Sequence, residues 1–190
     1  MQQQQKNEKF GMDLRESMNA TYAIAYIHTM CLLPFLRCNF GTNVPGIAGI
    51  AALILLLFMT ASQDPAMTVF LFLWLLALAC QRCRTWRLVS NGWREHSQYG
   101  GRPWLAMLIP FVRTEMAAKT IEPGLCFLVG GLLCGLSETL GLFVMAGIVS
   151  LTIVRGIQLE SLRRQMTAYH DLQIEQQAMS ERVRGVRNDF

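Results

Sequence analysis

The sequence predicts an all-α integral membrane protein with two transmembrane helical hairpins, giving four short spans, plus interfacial helices and a C-terminal amphipathic helix. Three observations predict it. Two long apolar stretches, residues 45–80 and 123–154, each hold one charge near the middle, Asp64 and Glu138. All seventeen Lys and Arg lie outside these stretches. Past residue 154, unbroken apolarity gives way to apolar residues at steps of three and four. A lipid core offers no water to backbone groups, so long apolar runs cross it as helices, and about 20 residues suffice for one crossing. Each stretch is too long for one ordinary span. Each is therefore expected to fold as a hairpin, with tips at Gln63-Asp64-Pro65 and Ser137-Glu138-Thr139.

Composition sets the frame. With 190 residues, 52% of them hydrophobic, the chain reads as one membrane unit without a separate soluble domain to house an enzyme. Residues 1–16 mix Gln with alternating charges and lack the apolar core and small-residue cleavage site of a secretory signal. They are expected to form a disordered tail that stays where it was made. Residues 17–44 are expected to be an interfacial helix and a connector. The uncharged part, 17–36, carries Asn19, Thr21, His28 and Thr29, which lipid would not satisfy, and Tyr22 and Tyr26 suit the headgroup level. A fifth span is the competing reading of this segment.

In the first hairpin, 45–80, Pro45 suits an N-terminal helix position, and Gly46 and Gly49 leave a small-residue face. Phe70, Phe72 and Trp74 in the returning arm are expected to face lipid. The arms 66–80 and 123–137 would each rise only about 22 Å against a core of about 30 Å. Either Arg side chains snorkel and the membrane thins, or the hairpins enter without crossing fully; full crossing is the expectation.

Residues 81–122 read as a basic cytoplasmic loop with an interfacial segment. Arg82, Arg84, Trp86, Arg87, Trp93 and Arg94 are expected to contact anionic headgroups, each basic residue contributing about 1 kcal/mol near the surface. Aromatic residues beside a span belong to an interfacial belt more readily than to a base-stacking platform, so no nucleic-acid partner is expected. Residues 104–112 are too short to span and are interrupted by Pro110, which places them in the interface. Basic residues occupy 1–44, 81–122 and 155–190 and are absent from both tips. Their retention on the cytoplasmic side puts both tips outside and both termini in the cytoplasm, in a bacterial inner membrane or an organelle membrane. Leu33-Pro34-Phe35-Leu36-Arg37 is answered by Ile109-Pro110-Phe111-Val112-Arg113, and Pro45-Gly46 by Pro123-Gly124. This order predicts an internal repeat of two parallel halves.

After the second hairpin, 123–154, residues 155–190 form the amphipathic helix. Leu159, Leu162, Met166, Tyr169, Leu172, Met179 and Val183 make an association seam, continued by Val186 and interrupted by Gln176. The other face mixes Arg163, Arg164, Asp171, Glu175, Glu181 and Arg182, whereas a helix lying on lipid would favour Lys and Arg. A packing helix is expected, against a second copy or another subunit.

Chemistry-bearing patterns are sparse. Cys80 and Cys83 have metal or redox spacing but supply only two ligands. Their juxtamembrane position makes them candidate acylation thiols or simply unmodified ones. Cys31, Cys38, Cys126 and Cys134 are likewise expected to be free. His96-Ser97 lacks a third orienting group for nucleophilic catalysis. Asp64 and Glu138 would act as intramembrane acids only if each stretch were one long helix. No catalytic, cofactor-binding or metal-binding residue is expected.

The function expected from these features is non-enzymatic: a membrane scaffold or small structural subunit of a multi-protein membrane complex, associating through its C-terminal helix. Its partners would be membrane lipids and further copies or other subunits. A membrane-shaping protein acting alone and a small transporter or channel component are the alternatives. In arrangement, two hydrophobic hairpins around a polar loop with an amphipathic helix beside them, the chain resembles reticulon-type proteins. That resemblance implies membrane shaping and assigns no residue a role.

Overall fold

The computed structural model describes residues 2–44, 46–61, 63–92 and 99–188, with side chains described over 17–44, 46–61, 63–92 and 99–182. Among the described residues, seven helices follow in order: α1 (Gln2–Leu36), α2 (Gly46–Thr60), α3 (Pro65–Ser90), α4 (Trp104–Met107), α5 (Glu115–Leu133), α6 (Glu138–Met145) and α7 (Gly147–Asn188). Among the described residues there is no strand, only an isolated bridge between Cys38 and Arg102. The chain divides into two compact units, Met1–Val154 and Arg155–Phe190. Among the described residues, three stretches are long and apolar enough to cross a membrane: Pro65–Ser90, Glu115–Leu133 and Glu138–Arg182; the apolar helix Gly46–Thr60 is shorter.

Both expected tips are breaks between helices. Asp64 caps α3, its carboxylate accepting from the Ala66 N–H at 2.9 Å, and Pro65 follows at the first helical position, where its missing N–H costs nothing. Ser137 caps α6 in the same way, its hydroxyl accepting from the Leu140 N–H at 3.1 Å. The helices leading to and from these tips are longer than the apolar runs that flagged them. α3 continues through Cys80 and Cys83 to Ser90, because Arg82, Arg84 and Arg87 favour helix as much as the apolar residues before them. Asn91 and Gly92, the latter at φ +82°, end it. α5 starts at Glu115, where the Thr114 hydroxyl accepts from the Ala117 N–H, and it carries Pro123 inside. At 26 and 19 residues, α3 and α5 rise about 39 and 28 Å. Both are longer than the apolar runs within them, whereas α2, at 15 residues, rises about 22 Å.

The largest departure from expectation is α1. The segment expected to be interfacial supplies the centre of the core: Met30, Cys31, Leu32, Leu33 and Leu36 are buried against residues of α2, α3 and α6. Of its polar residues, His28 bonds to Ser150 and to the Phe143 carbonyl, Asn19 and Thr21 are exposed, and Thr29 is buried with its hydroxyl unpaired. Pro34 lies within α1 and cannot give the N–H that would bond the Met30 carbonyl. The buried Trp74 indole does so instead, with Nε1 donating to Met30 O at 3.2 Å. Trp74, expected to face lipid, is thereby turned inward, and Phe70 is buried beside it; Phe72 is exposed as expected.

Direction along α1 follows from three contacts to the segment 65–90. Trp74 reaches Met30, Gln81 Nε2 donates to Arg37 O at 3.0 Å, and Thr85 Oγ1 to Phe40 O. The sequence separations are 44, 44 and 45, so α1 and α3 run parallel. At that separation Ala20 stands level with Asp64. The N-terminal part of α1 thus lies at the same end of the bundle as the α2–α3 tip.

The expected repeat is only partly visible. Asp64 and Ser137 occupy matching places, but Pro34 sits inside a 35-residue helix, whereas Pro110 follows the four-residue α4. Close approach in the second half depends on glycine. A Cβ on Gly130 would stand 2.6 Å from the Met145 backbone N, so α5 and α6 meet through bare backbone.

Candidate functional site: an apolar groove between polar closures

Polar contacts close unit Met1–Val154 at both ends. At the base, Arg37 just after α1 meets Glu122 of α5. Arg37 Nε lies 2.9 and 3.0 Å from the two carboxylate oxygens, and Nη2 adds a further bond. Nη1 donates to the Gly100 carbonyl at 3.2 Å. Glu122 is 0% exposed and Arg37 7%, so the charges are withdrawn from solvent as a multiply bonded pair. The pair lies level with Gln81, the first polar residue after the apolar run of α3. Beside it, Tyr99 Oη donates to Glu115 at 2.8 Å, and Lys119 pairs with the same carboxylate. Sequence reading missed Glu122, since it stands just before Pro123 and was counted with the loop.

At the tip, the Ser137 hydroxyl donates to Asp64 Oδ2. That bond, with the Ala66 N–H and the Thr139 hydroxyl, holds the Asp64 carboxyl below the usual carboxylate range. The tip residues read separately from sequence are therefore one contact. Glu138 follows the Ser137 cap at the first helical position of α6.

Between the closures lies a cavity of about 570 Å³ lined solely by apolar side chains and the Cys126 thiol. Phe35 and Leu36 of α1, Phe70 and Leu73 of α3, and Leu125 and Val129 of α5 contribute to its wall. Deeper in the core, His28 spans three helices. Its Nε2 lies 3.1 Å from the Phe143 carbonyl and its Nδ1 2.7 Å from Ser150 Oγ, which fits an imidazole donating from Nε2 and accepting at Nδ1. Phe143 lies three residues before the break between α6 and α7 at Ala146, so His28 ties that break to α1.

The expected headgroup residues fall in two groups. Arg82, Cys83 and Trp86 line a surface pocket of about 400 Å³ with Thr42, Thr85 and Val89, and Arg82 Nη1 donates to the Thr42 carbonyl. Arg84 and Arg87 are exposed on the same helix. Trp93 and Arg94 lie outside the described residues, as do His96 and Ser97. Cys80 and Cys83 are exposed, and all six cysteines are free thiols. Among the described residues, no three His, Cys, Asp or Glu side chains come together as a metal site.

In unit Arg155–Phe190, residues 159–182 are all exposed. Leu159, Leu162, Met166, Tyr169, Leu172 and Met179 of the expected seam are among them; the Val183 side chain lies outside the described residues. Arg164 pairs with Glu160 one turn away on the other face at 3.0 Å. Compared with family models, with curated proteins and with solved structures, the chain matches none.

Proposed function

We propose that this chain is a non-enzymatic membrane subunit or scaffold whose embedded bundle anchors α7 for association with a second copy or another subunit. The observation that carries the reading is the exposed apolar seam of α7. A single helix gains little from propensity alone and depends on packing an apolar face, so a helix of 42 residues with a bare seam is half of an interface. The seam steps by three twice in succession between Met166 and Leu172, so a partner would follow an overwound stripe.

The membrane reading rests on the three long apolar stretches and on the company they keep. α1 and α2 pack beside α3 along its apolar length, so we count them as crossings, giving five in place of four. An odd count separates the termini. Lys6, Lys9 and Arg15 would be at the tip end, offset by Glu8, Asp13 and Glu16, while Arg37, Arg82, Arg84, Arg87, Arg102, Arg113 and Lys119 fall at the base and the basic residues of α7 at or beyond its exit. Positive charge then marks the base as cytoplasmic, the tips and N-terminus as external, and α7's end as cytoplasmic.

A transport role has one observation in its favour, the buried Arg37–Glu122 pair. The cavity beside it, however, is apolar and offers no polar path for an ion. The experiment for the association reading is site-directed cross-linking in native membranes, with single cysteines at Leu162 or Tyr169 in a chain whose own six are replaced. The reading predicts a covalent dimer or a discrete adduct with another subunit. Uniform monomer at both positions, with α7 helical, contradicts it.

A further inference from the structure

The groove between the halves has a size and a rim that identify its occupant. Its volume of about 570 Å³ falls within the range of about 300–1,000 Å³ typical of small-molecule sites. A flexible hydrocarbon chain suits an apolar wall of this extent. The base of the groove is bordered by Phe35 and Leu36 of α1 and by Leu105 of α4. Trp104 is anchored there, its Nε1 donating to the Phe35 carbonyl at 3.0 Å with the ring 43% exposed. Arg102 is held beside it by a two-way backbone pairing with Cys38, at 2.9 and 2.6 Å, and its side chain is exposed. Along Leu105, Trp104 and Arg102, apolar wall, aromatic ring and positive charge thus follow in the order of an acyl chain and its headgroup.

We propose that the groove seats one acyl chain of an anionic glycerophospholipid, with Arg102 and Trp104 holding its headgroup at the base. Discrimination comes from the headgroup, since surrounding lipid tails are as apolar as the wall and give the chain itself no preference. The site is distinct from the α7 seam but rests on the membrane reading above.

Native mass spectrometry of the full chain, extracted from its membrane in mild detergent, tests this. The wild type is expected to retain one anionic glycerophospholipid per chain. Arg102→Gln should lower that retention about fivefold, the effect of one basic residue near a charged surface. Val129→Trp, which fills the groove, should abolish it, while Arg164→Gln on α7 should leave it unchanged. If Val129→Trp does not fold, Arg102→Gln, on an exposed side chain, still decides the matter through headgroup selectivity. Three results overturn the proposal: no retained lipid, equal retention of zwitterionic and anionic lipid, or a polypeptide in the groove's place that Val129→Trp displaces. Recovery of the chain without detergent would instead overturn the membrane reading, which separates the two failures.

Discussion

Asp64 and Ser137, seventy-three residues apart in sequence, close the tip end of the bundle by a hydrogen bond from the Ser137 hydroxyl to the Asp64 carboxylate. Each also caps a helix, so one contact fixes two turns. The carboxyl is held below its usual range, chiefly by the Ser137 hydroxyl and then by the Ala66 N–H. Its contribution to stability is complete above the unfolded value of about 3.9 and is lost as pH falls through the lower folded value. Thermal unfolding in detergent should show this as an acid-side decline that Asp64→Asn flattens. Ser137→Ala should lower stability by about 1 kcal/mol through the lost α6 cap. A Ser137→Ala chain as stable as wild type across the acid range contradicts the contact.

The Arg37–Glu122 pair should behave as a buried unit. Removing either partner leaves an uncompensated charge, so Glu122→Leu or Arg37→Met alone should cost about 3–5 kcal/mol. The double variant Arg37→Met/Glu122→Leu should recover most of that loss. A double-mutant cycle by unfolding in detergent measures the coupling, and additive losses would show that the two residues act independently.

Trp74 and Pro34 form a backbone compensation. Trp74→Phe removes the donor to the Met30 carbonyl and should destabilise by about 1–3 kcal/mol, with an added loss for the smaller ring. Pro34→Ala restores the N–H that bonds this carbonyl within the helix. It should therefore recover part of the stability in the Trp74→Phe chain, read as a rise in melting temperature over the single variant. No recovery would mean that Trp74 acts through its volume alone.

His28 should matter through both nitrogens. His28→Leu keeps much of the bulk but leaves Ser150 and the Phe143 carbonyl without the imidazole. A cost of about 1–3 kcal/mol follows if these buried groups find no substitute. His28→Gln, able to donate and accept, should cost less, and the order of melting temperatures checks it.

Helical class and both tips were legible because apolar run length and turn chemistry are local. Asp64-Pro65 and Ser137-Glu138 announce helix starts to any reader of capping rules. Helix length was not legible from apolarity, since α3 runs on through arginines and α5 begins among Glu115 and Lys119. The position of α1 was hidden by its own polar residues. His28 looks costly in lipid until Ser150, 122 residues away, is brought against it. Glu122 was obscured in the same way, because nothing near it in sequence indicates Arg37, 85 residues earlier. The periodicity of the expected seam on α7 is local, and its described residues, Leu159 to Met179, are exposed.

If α1 crosses as proposed, Ser17 and Ser180 are reached from opposite sides of the membrane. The direct measurement is labelling by an impermeant maleimide from each side of sealed native membranes. It uses single cysteines at Ser17, Gln63 and Ser180, all exposed, in a chain with its own six cysteines replaced. The account predicts that Ser17→Cys and Gln63→Cys label from one side and Ser180→Cys from the other. Labelling of Ser17→Cys on the same side as Ser180→Cys, opposite Gln63→Cys, would contradict it and return α1 to the membrane surface.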